Sequence, residues 1–434
     1  MKIPKFLREN IVLKITSLNA VVISIRLVVS AFVQYLLAVT VGEAGIAKIG
    51  QVRNVMAMLT STSTLGIFSG VVKYVAEHKA NKPELAKLFS TSTAFLIFGS
   101  LVSGLILFFA SGYFSEFLFK SDEFIYIFKV LAVIVPFIAI NRAIGGVVNG
   151  LSDYKKYAKI ELISYLLATL ALLIGLYTSE LDGVIVALAF APVIQLIVLG
   201  FVFGKTLASY IKLKDINLGL SYKNKLLAFT LMSFVSAFLL NYIEINIRTK
   251  IANDININEA GYWTAMSFIS KNYMVFATGL FTLYVIPRFA NIHSRLEFKN
   301  EVFNIYKTIL PIFGLGMILV YLLRNVIIDV IYHDFIGMEP LFKWQLLGDF
   351  VRLCALVLSH QFLAKRMVRT FIITEIISLV LFYVLTVVFI KHYETEGVVI
   401  AHLVRYILYF VIVIFALNQY FIKNKVIKNS DEDL

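Results

Sequence analysis

Apolar residues in this chain come in long runs broken by short polar connectors, with no strand-like alternation and no one-sided helical stripe. Twelve runs are long enough to cross about 30 Å of hydrocarbon as helices. They cover roughly 17–40, 50–74, 88–111, 124–148, 159–178, 183–204, 225–248, 260–286, 303–323, 341–364, 370–390 and 397–421. The connectors leave no room for a soluble domain. The longest, Lys205 to Lys225, has about the length of one surface helix. The pattern therefore predicts an all-α integral membrane protein. Its expected parts are a six-helix lobe over 1–204, a cytoplasmic linker over 205–224, a second six-helix lobe over 225–421 and a cytoplasmic tail over 422–434.

Composition removes the alternatives. Of 434 residues, 59% are hydrophobic and only 15% charged, and the mean hydropathy is +0.85, whereas an ordinary soluble domain is about 25% charged. Only seven prolines occur, and runs of about 20 residues suit helices and not the 10-residue alternating strands of an outer-membrane barrel. The lone cysteine, Cys354, lies inside an apolar run, so a disulfide scaffold is excluded. The excess of 40 Lys+Arg over 27 Asp+Glu gives a net charge of +13. In a soluble chain that would suggest nucleic acid; here it belongs to topology, and no nucleic-acid partner is expected.

The positive-inside rule then orients the chain. Cations gather in alternate connectors and at both ends: Lys2, Lys5, Arg8 and Lys14; Lys79, Lys82 and Lys87; Lys155, Lys156 and Lys159; Lys205, Lys212, Lys214, Lys223 and Lys225; Arg288, Arg295 and Lys299; Lys365, Arg366 and Arg369; Lys423, Lys425 and Lys428. The other connectors are acidic, with Glu180 and Asp182, Asp254 and Glu259, Asp329, Asp334 and Glu339, and Glu394 and Glu396. Both termini are thus expected in the cytoplasm. The first run is full length and lacks a small-residue cleavage site, so it reads as a span and not as a removed signal.

The second half repeats the first at a shift of about 214 residues. Ile127-Phe128-Lys129 matches Leu341-Phe342-Lys343, Glu161-Leu-Ile-Ser164 matches Glu375-Ile-Ile-Ser378, and Asp182-Gly-Val-Ile-Val-Ala187 matches Glu396-Gly-Val-Val-Ile-Ala401. Six spans per repeat insert both halves the same way up, so the axis lies along the membrane normal and a site is expected between the lobes. That is the plan of a transporter.

Chemical signatures are otherwise missing. The chain shows no Gly-rich phosphate loop, no HExxH, no metal-spaced Cys/His cluster and no Ser/His/Asp grouping. No cofactor and no catalytic residue is expected, and transport would draw on an ion gradient, the membrane potential or the substrate gradient. The pairs Gly66 with Gly70 and Gly146 with Gly150 read as close helix packing.

Charges inside spans cost several kcal/mol at the bilayer centre unless a cavity or partner receives them. Arg26 falls near mid-depth of the first span, Lys271 of the eighth, and Asp349 and Arg352 of the tenth; Arg405 lies about a third of the way into the twelfth. Arg53 sits nearer the outer face and Arg142 nearer the inner one. Six basic groups against one clearly central acid point to an anionic substrate. Each has a plainer reading. Asp349 and Arg352, three apart, can simply neutralise each other. Arg142 can snorkel to inner headgroups. Glu244 and Arg248, four apart, suit a structural pair, and Glu161 and Glu375 are equivalent by the repeat. Arg26 and Lys271 have no acid within a turn. Tyr273 and Trp344, beside Asn272 and Gln345, are candidates for stacking on sugar rings.

Three blocks carry a family resemblance: Leu37-Ala-Val-Thr-Val-Gly-Glu-Ala-Gly45, Gly66-Ile-Phe-Ser-Gly-Val-Val-Lys-Tyr-Val-Ala76 and Trp344-Gln-Leu-Leu-Gly-Asp-Phe350. They resemble the Wzx-type polysaccharide flippases, of the O-antigen and enterobacterial common antigen branch, within the multidrug/oligosaccharidyl-lipid/polysaccharide exporter superfamily. The resemblance implies two lobes in a V that opens alternately to each side of the bacterial inner membrane. It implies as cargo an undecaprenyl-pyrophosphate-linked oligosaccharide of the lipopolysaccharide pathway, a proton or sodium ion for coupling, and the polymerase and chain-length proteins of that pathway as further partners. By the same resemblance Arg26 and Arg53 fall where relatives carry basic residues and Asp349 in the matching Gly-Asp. With the in-span cations Lys271, Arg352 and Arg142, the substrate-binding candidates are Arg26, Arg53, Lys271, Arg352 and Arg142, and Asp349 is the ion-coupling candidate. Relatives can carry an acid where Lys271 stands. Two other functions compete. A cation-coupled multidrug exporter of the same superfamily would call for more buried acids, and a membrane glycosyltransferase or polymerase for a large periplasmic loop.

Overall fold

The computed structural model describes residues 11–210, 216–292 and 294–432, with side-chain surroundings given there except at 11–21, 154, 228, 278–280, 282–283, 287 and 423–432. Lys2, Lys5, Arg8, Lys212 and Lys214 lie outside the described residues, as do the side chains of Lys14, Lys423, Lys425 and Lys428. Everything described is helix or connector. In chain order the helices are α1 (Ile11–Ser63), α2 (Phe68–Glu77), α3 (Lys82–Phe109), α4 (Ser111–Phe119), α5 (Ile125–Gly150), α6 (Tyr154–Tyr210) and α7 (Lys223–Ser233). They continue as α8 (Leu240–Asp254), α9 (Ile257–Leu280), α10 (Ile286–Ala290), α11 (Arg295–Leu322), α12 (Arg324–Ile331), α13 (Glu339–Ala364) and α14 (Val368–Glu432). Short π-helical segments, Phe234–Leu239 and Phe281–Val285, join α7 to α8 and α9 to α10.

Among the described residues, eight stretches are long and apolar enough to cross a membrane. The chain is a multi-pass helical membrane protein. Three of the stretches are broken within: α1 bends at Gly42 (φ 62°), α6 at Ser179 and Glu180 (φ 46°), and α14 at Glu394 (φ 49°). Connectors expected over 41–49, 179–182 and 391–396 therefore shrink to one or two residues. A single residue in the left-handed region interrupts the hydrogen-bond ladder, and hydropathy alone does not locate it. Glu180 and Glu394 stand 214 apart, so the repeat read from the sequence extends to this unusual backbone. Across the first of these bends a Cβ on Gly183 would lie 2.0 Å from the Gly175 carbonyl oxygen, and across the second a Cβ on Gly397 would lie 2.5 Å from that of Phe389. Only glycine lets the two arms of each hairpin meet.

By contacts the chain divides into two compact units, 1–249 and 250–434. In the first, α5 is the central helix: its Ile127, Phe128, Leu131 and Val135 join one hydrophobic cluster and its Val147 and Val148 another. Segment 216–226 packs onto this unit, with Thr91 donating to the Gly219 carbonyl at 2.8 Å and Tyr222 to Glu84 at 2.7 Å. In the second unit α13, the repeat equivalent of α5, is the most enclosed span. The Gly pairs are packing contacts: a Cβ on Gly70 would meet Leu226 at 2.7 Å, and one on Gly150 would meet Val75 at 2.7 Å.

Candidate functional site

The densest polar cluster in the second unit is built around Asp349, which is 0% exposed. Its placement starts one residue earlier, at Gly348, where a Cβ would sit 2.5 Å from the His402 ring and 3.2 Å from the Leu403 backbone. Glycine there brings α13 against the second arm of α14 and seats His402 on the carboxylate. Asp349 Oδ1 is 3.0 Å from His402 Nε2 and 3.7 Å from Arg352 Nη1. Oδ2 accepts from Ser270 Oγ and Tyr273 OH, each at 2.5 Å, and from Gln345 Nε2 at 3.0 Å. Ser270 and Tyr273, three apart on α9, reach it together, as do Gln345 and Arg352 from the adjoining turns of α13. Four hydrogen-bonding partners and a guanidinium thus hold a carboxylate whose burial alone would cost several kcal/mol.

Cations and aromatic rings continue outward from this hub. The His402 ring lies edge-on to Tyr406 with centroids 4.9 Å apart, and the guanidinium carbons of Arg405 and Arg352 lie 4.6 Å and 5.7 Å from the Tyr406 ring. Arg405, 4% exposed, donates Nε to Ser378 Oγ at 2.8 Å. Beyond it Tyr409 donates to Glu375 at 2.6 Å. Asp349 therefore touches both His402 and Arg352, so a change of charge at the carboxylate would be felt by both.

The first unit carries its own polar cluster. Arg26 Nη1 lies 3.2 Å from Glu161 Oε2, with its guanidinium 4.9 Å above the Tyr165 ring and its side chain 42% exposed. Gln195 donates to Glu161 Oε1 at 3.2 Å, and Asn141 donates to Gln195 at 3.1 Å and to the Pro192 carbonyl at 2.7 Å. At a shift of 214, Gln195–Glu161 corresponds to Tyr409–Glu375, so each unit caps the same carboxylate from the same place. Arg142 is exposed and stacks 3.6 Å above Phe68. Arg53 is part-buried on the second arm of α1, and Lys271 is exposed one residue beyond Ser270.

The site candidates thus fall into separate groups. Asp349 and Arg352 come together, and Arg26 finds an acid 135 residues away, Glu161, whose charge also acts on Arg142. Glu244 and Arg248 form part of a tie between α1 and α8: Asn54 donates to Glu244 at 3.1 Å, and the 2% exposed Arg248 donates to Gln51 at 3.2 Å. Both members of the expected pair thus bond to α1, and the Glu244 charge acts on Arg248. Tyr273 hydrogen-bonds Asp349, and the Trp344 indole donates to Glu396, so the two rings considered for sugar stacking have partners within the protein. Sequence reasoning missed Ser270, Gln195 and His402. The one available signal was that, of six histidines, only His360 and His402 fall inside expected spans.

No family model matches the chain. Two curated proteins named Lipid III flippase, from Escherichia coli (strain K12) and Shigella flexneri, are each 28% identical over 345 residues, covering 79% of this chain and 82% of theirs. A putative O-antigen transporter of Shigella flexneri is 23% identical over 257 residues, 57% of this chain and 59% of its own. Among solved structures, an inward-facing multidrug resistance MATE family transporter of the MOP superfamily superposes with a TM-score of 0.76 at 14% identity, over 91% of this chain and 95% of that one. The lipid II flippase MurJ, inward closed, gives 0.72 at 15% identity over 94% and 89%. The chain shares the fold of the MATE and MurJ transporters. Its relatives named flippase and O-antigen transporter point to a transporter and not to an enzyme. For this transporter the Gly348-Asp349 pair of the resemblance has a physical meaning, since the glycine clears the space in which His402 meets the acid.

Proposed function

We propose that this transporter flips an undecaprenyl-pyrophosphate-linked oligosaccharide, an O-antigen-type repeat unit, from the cytoplasmic to the periplasmic leaflet of the bacterial inner membrane. It works by alternating access of its two six-helix lobes, with both termini in the cytoplasm. The curated relatives named as lipid III flippase and O-antigen transporter support a lipid-linked sugar as cargo. The observation that carries the reading is the cationic excess within apolar spans. A pyrophosphate bears about two negative charges and is matched by Arg and Lys. Arg26 is the leading ligand, because its half-exposed guanidinium keeps donors to offer while Glu161 and Tyr165 hold it in place. Arg53, Lys271, Arg352 and Arg142 are the supporting cations.

Asp349 is the coupling residue in this reading. A proton or sodium ion at the carboxylate competes with Arg352 and His402 and frees the guanidinium for the cargo, which links the two occupancies through one charge. The shortage of unpaired central acids argues against export of cationic drugs. Binding of undecaprenyl-pyrophosphate oligosaccharide to the purified protein, compared with undecaprenyl monophosphate, tests the charge match. The pyrophosphate form binds more tightly in the wild type and loses that advantage in Arg26→Ala. Equal affinity of the two lipids in the wild type would reject the proposal.

A further inference from the structure

The repeat block Ile127-Phe128-Lys129 and Leu341-Phe342-Lys343 is not used by the transport reading, and its surroundings are alike in both units. The first two residues of each block are buried, at 2% exposure or less, while both lysines are exposed. Next to each lysine an apolar cleft opens between two helices. One, of about 760 Å³, lies between α3 and α5; the other, of about 880 Å³, lies between α11 and α13. The helix pairs are themselves equivalent: α3 and α11 each have 28 residues and start 213 apart, behind Asn81 and Ser294, whose side chains cap the backbone N–H of Glu84 and Glu297.

The walls correspond residue by residue. Ile97, Leu105 and Phe108 on α3 are answered 213 positions later by Leu310, Ile318 and Tyr321 on α11. On the facing helices Ala132, Val133 and Pro136 are answered 214 later by Leu346, Leu347 and Phe350. Several of these face outward, with Val133 66% and Ile318 56% exposed. Lys343 lines its cleft, with Nζ 4.4 Å from the Trp344 ring, and Lys129 Nζ lies 5.9 Å from the ring of Phe108, at the equivalent end of the other cleft. Among the described residues, Lys343 is the one charged group lining the second cleft; the first has none in its walls, and Lys129 stands beyond Phe108 at its rim.

From this we infer that the chain holds two equivalent lipid sites, one per unit, each taking the acyl chains of an anionic phospholipid in the apolar cleft and its phosphate against Lys129 or Lys343. One cation per site matches the single negative charge of a phosphodiester such as phosphatidylglycerol, whereas a pyrophosphate calls for more than one. Duplication also favours a membrane lipid over a single transported molecule. An apolar slot with a basic rim is the chemistry by which membrane proteins retain acidic lipids.

Native mass spectrometry of the purified protein, titrated with phosphatidylglycerol or phosphatidylethanolamine of identical acyl chains, tests this. The wild type binds up to two phosphatidylglycerols in preference to the zwitterionic lipid. Lys129→Gln and Lys343→Gln each weaken one of the two by about fivefold, and the double variant loses the headgroup preference while phosphatidylethanolamine binding is unchanged. Equal binding of the two lipids by the wild type, or a preference that survives in the double variant, overturns the inference. An effect at only one lysine overturns the equivalence of the sites. Displacement of phosphatidylglycerol from both clefts by undecaprenyl phosphate would assign them to a polyprenyl cargo instead.

Discussion

At the scale of single residues, the account turns on what shares a charge with Asp349. Its nearest basic group is His402 at 3.0 Å, while Arg352, the partner that spacing along α13 suggested, is at 3.7 Å. Asp349→Asn is expected to remove the dependence of transport on the proton or sodium gradient. Adding Arg352→Gln should restore folding, since the guanidinium no longer lacks its counter-charge, without restoring coupling. Recovery of gradient-dependent transport in the double variant would make Asp349 a structural counter-ion. His402→Gln keeps a hydrogen bond to the carboxylate but no ionisable ring, so it separates the two coupling ions: a loss of pH dependence with sodium dependence intact points to the proton. At Arg26, Ala should abolish transport at normal protein level, and Lys should recover part of it because the bond to Glu161 is a single contact and not a two-pronged one. The central charges were legible because an ionisable residue stands out in an apolar run. Their partners were not: Glu161 is 135 residues from Arg26 and Ser270 is 79 from Asp349, and neutral donors such as Ser270 and Gln195 carry no hydropathy signal.

At the scale of elements, the hairpins at Glu180 and Glu394 and the crossing at Gly348 depend on absent side chains. Gly183→Ala would press a Cβ against the Gly175 backbone, and Gly397→Ala against that of Phe389. Neither obstacle can rotate away. Each substitution is expected to cost about 1–3 kcal/mol, seen as a lower Tm of the purified protein. Gly348→Ala meets instead the His402 ring, which can shift, so its effect should fall on coupling more than on Tm. An unchanged gradient dependence in Gly348→Ala would show that the seating of His402 on Asp349 does not matter. Helical spans were readable from run length, and the repeat from three short matches. The connectors at the bends were read too long because a one-residue reversal leaves the apolar run almost unbroken, so hydropathy spreads it over several positions.

At the scale of the whole molecule, orientation and cargo are the claims that matter. With both termini inside, cysteines introduced near Asp254 and Asp334 should react with an impermeant thiol reagent from outside, and one near Lys155 should not; the reverse pattern would invert the topology. Fold class followed from composition, and the exporter fold agrees with the blocks quoted from the first, second and tenth spans. The most direct test of the account is a leaflet-translocation assay in proteoliposomes, using a fluorescent undecaprenyl-pyrophosphate oligosaccharide and an imposed ion gradient. The account predicts gradient-stimulated transfer between leaflets by the wild type, none by Arg26→Ala, and transfer insensitive to the gradient by Asp349→Asn. Transfer by the wild type no faster than in protein-free vesicles, or at an equal rate in Arg26→Ala, would contradict it.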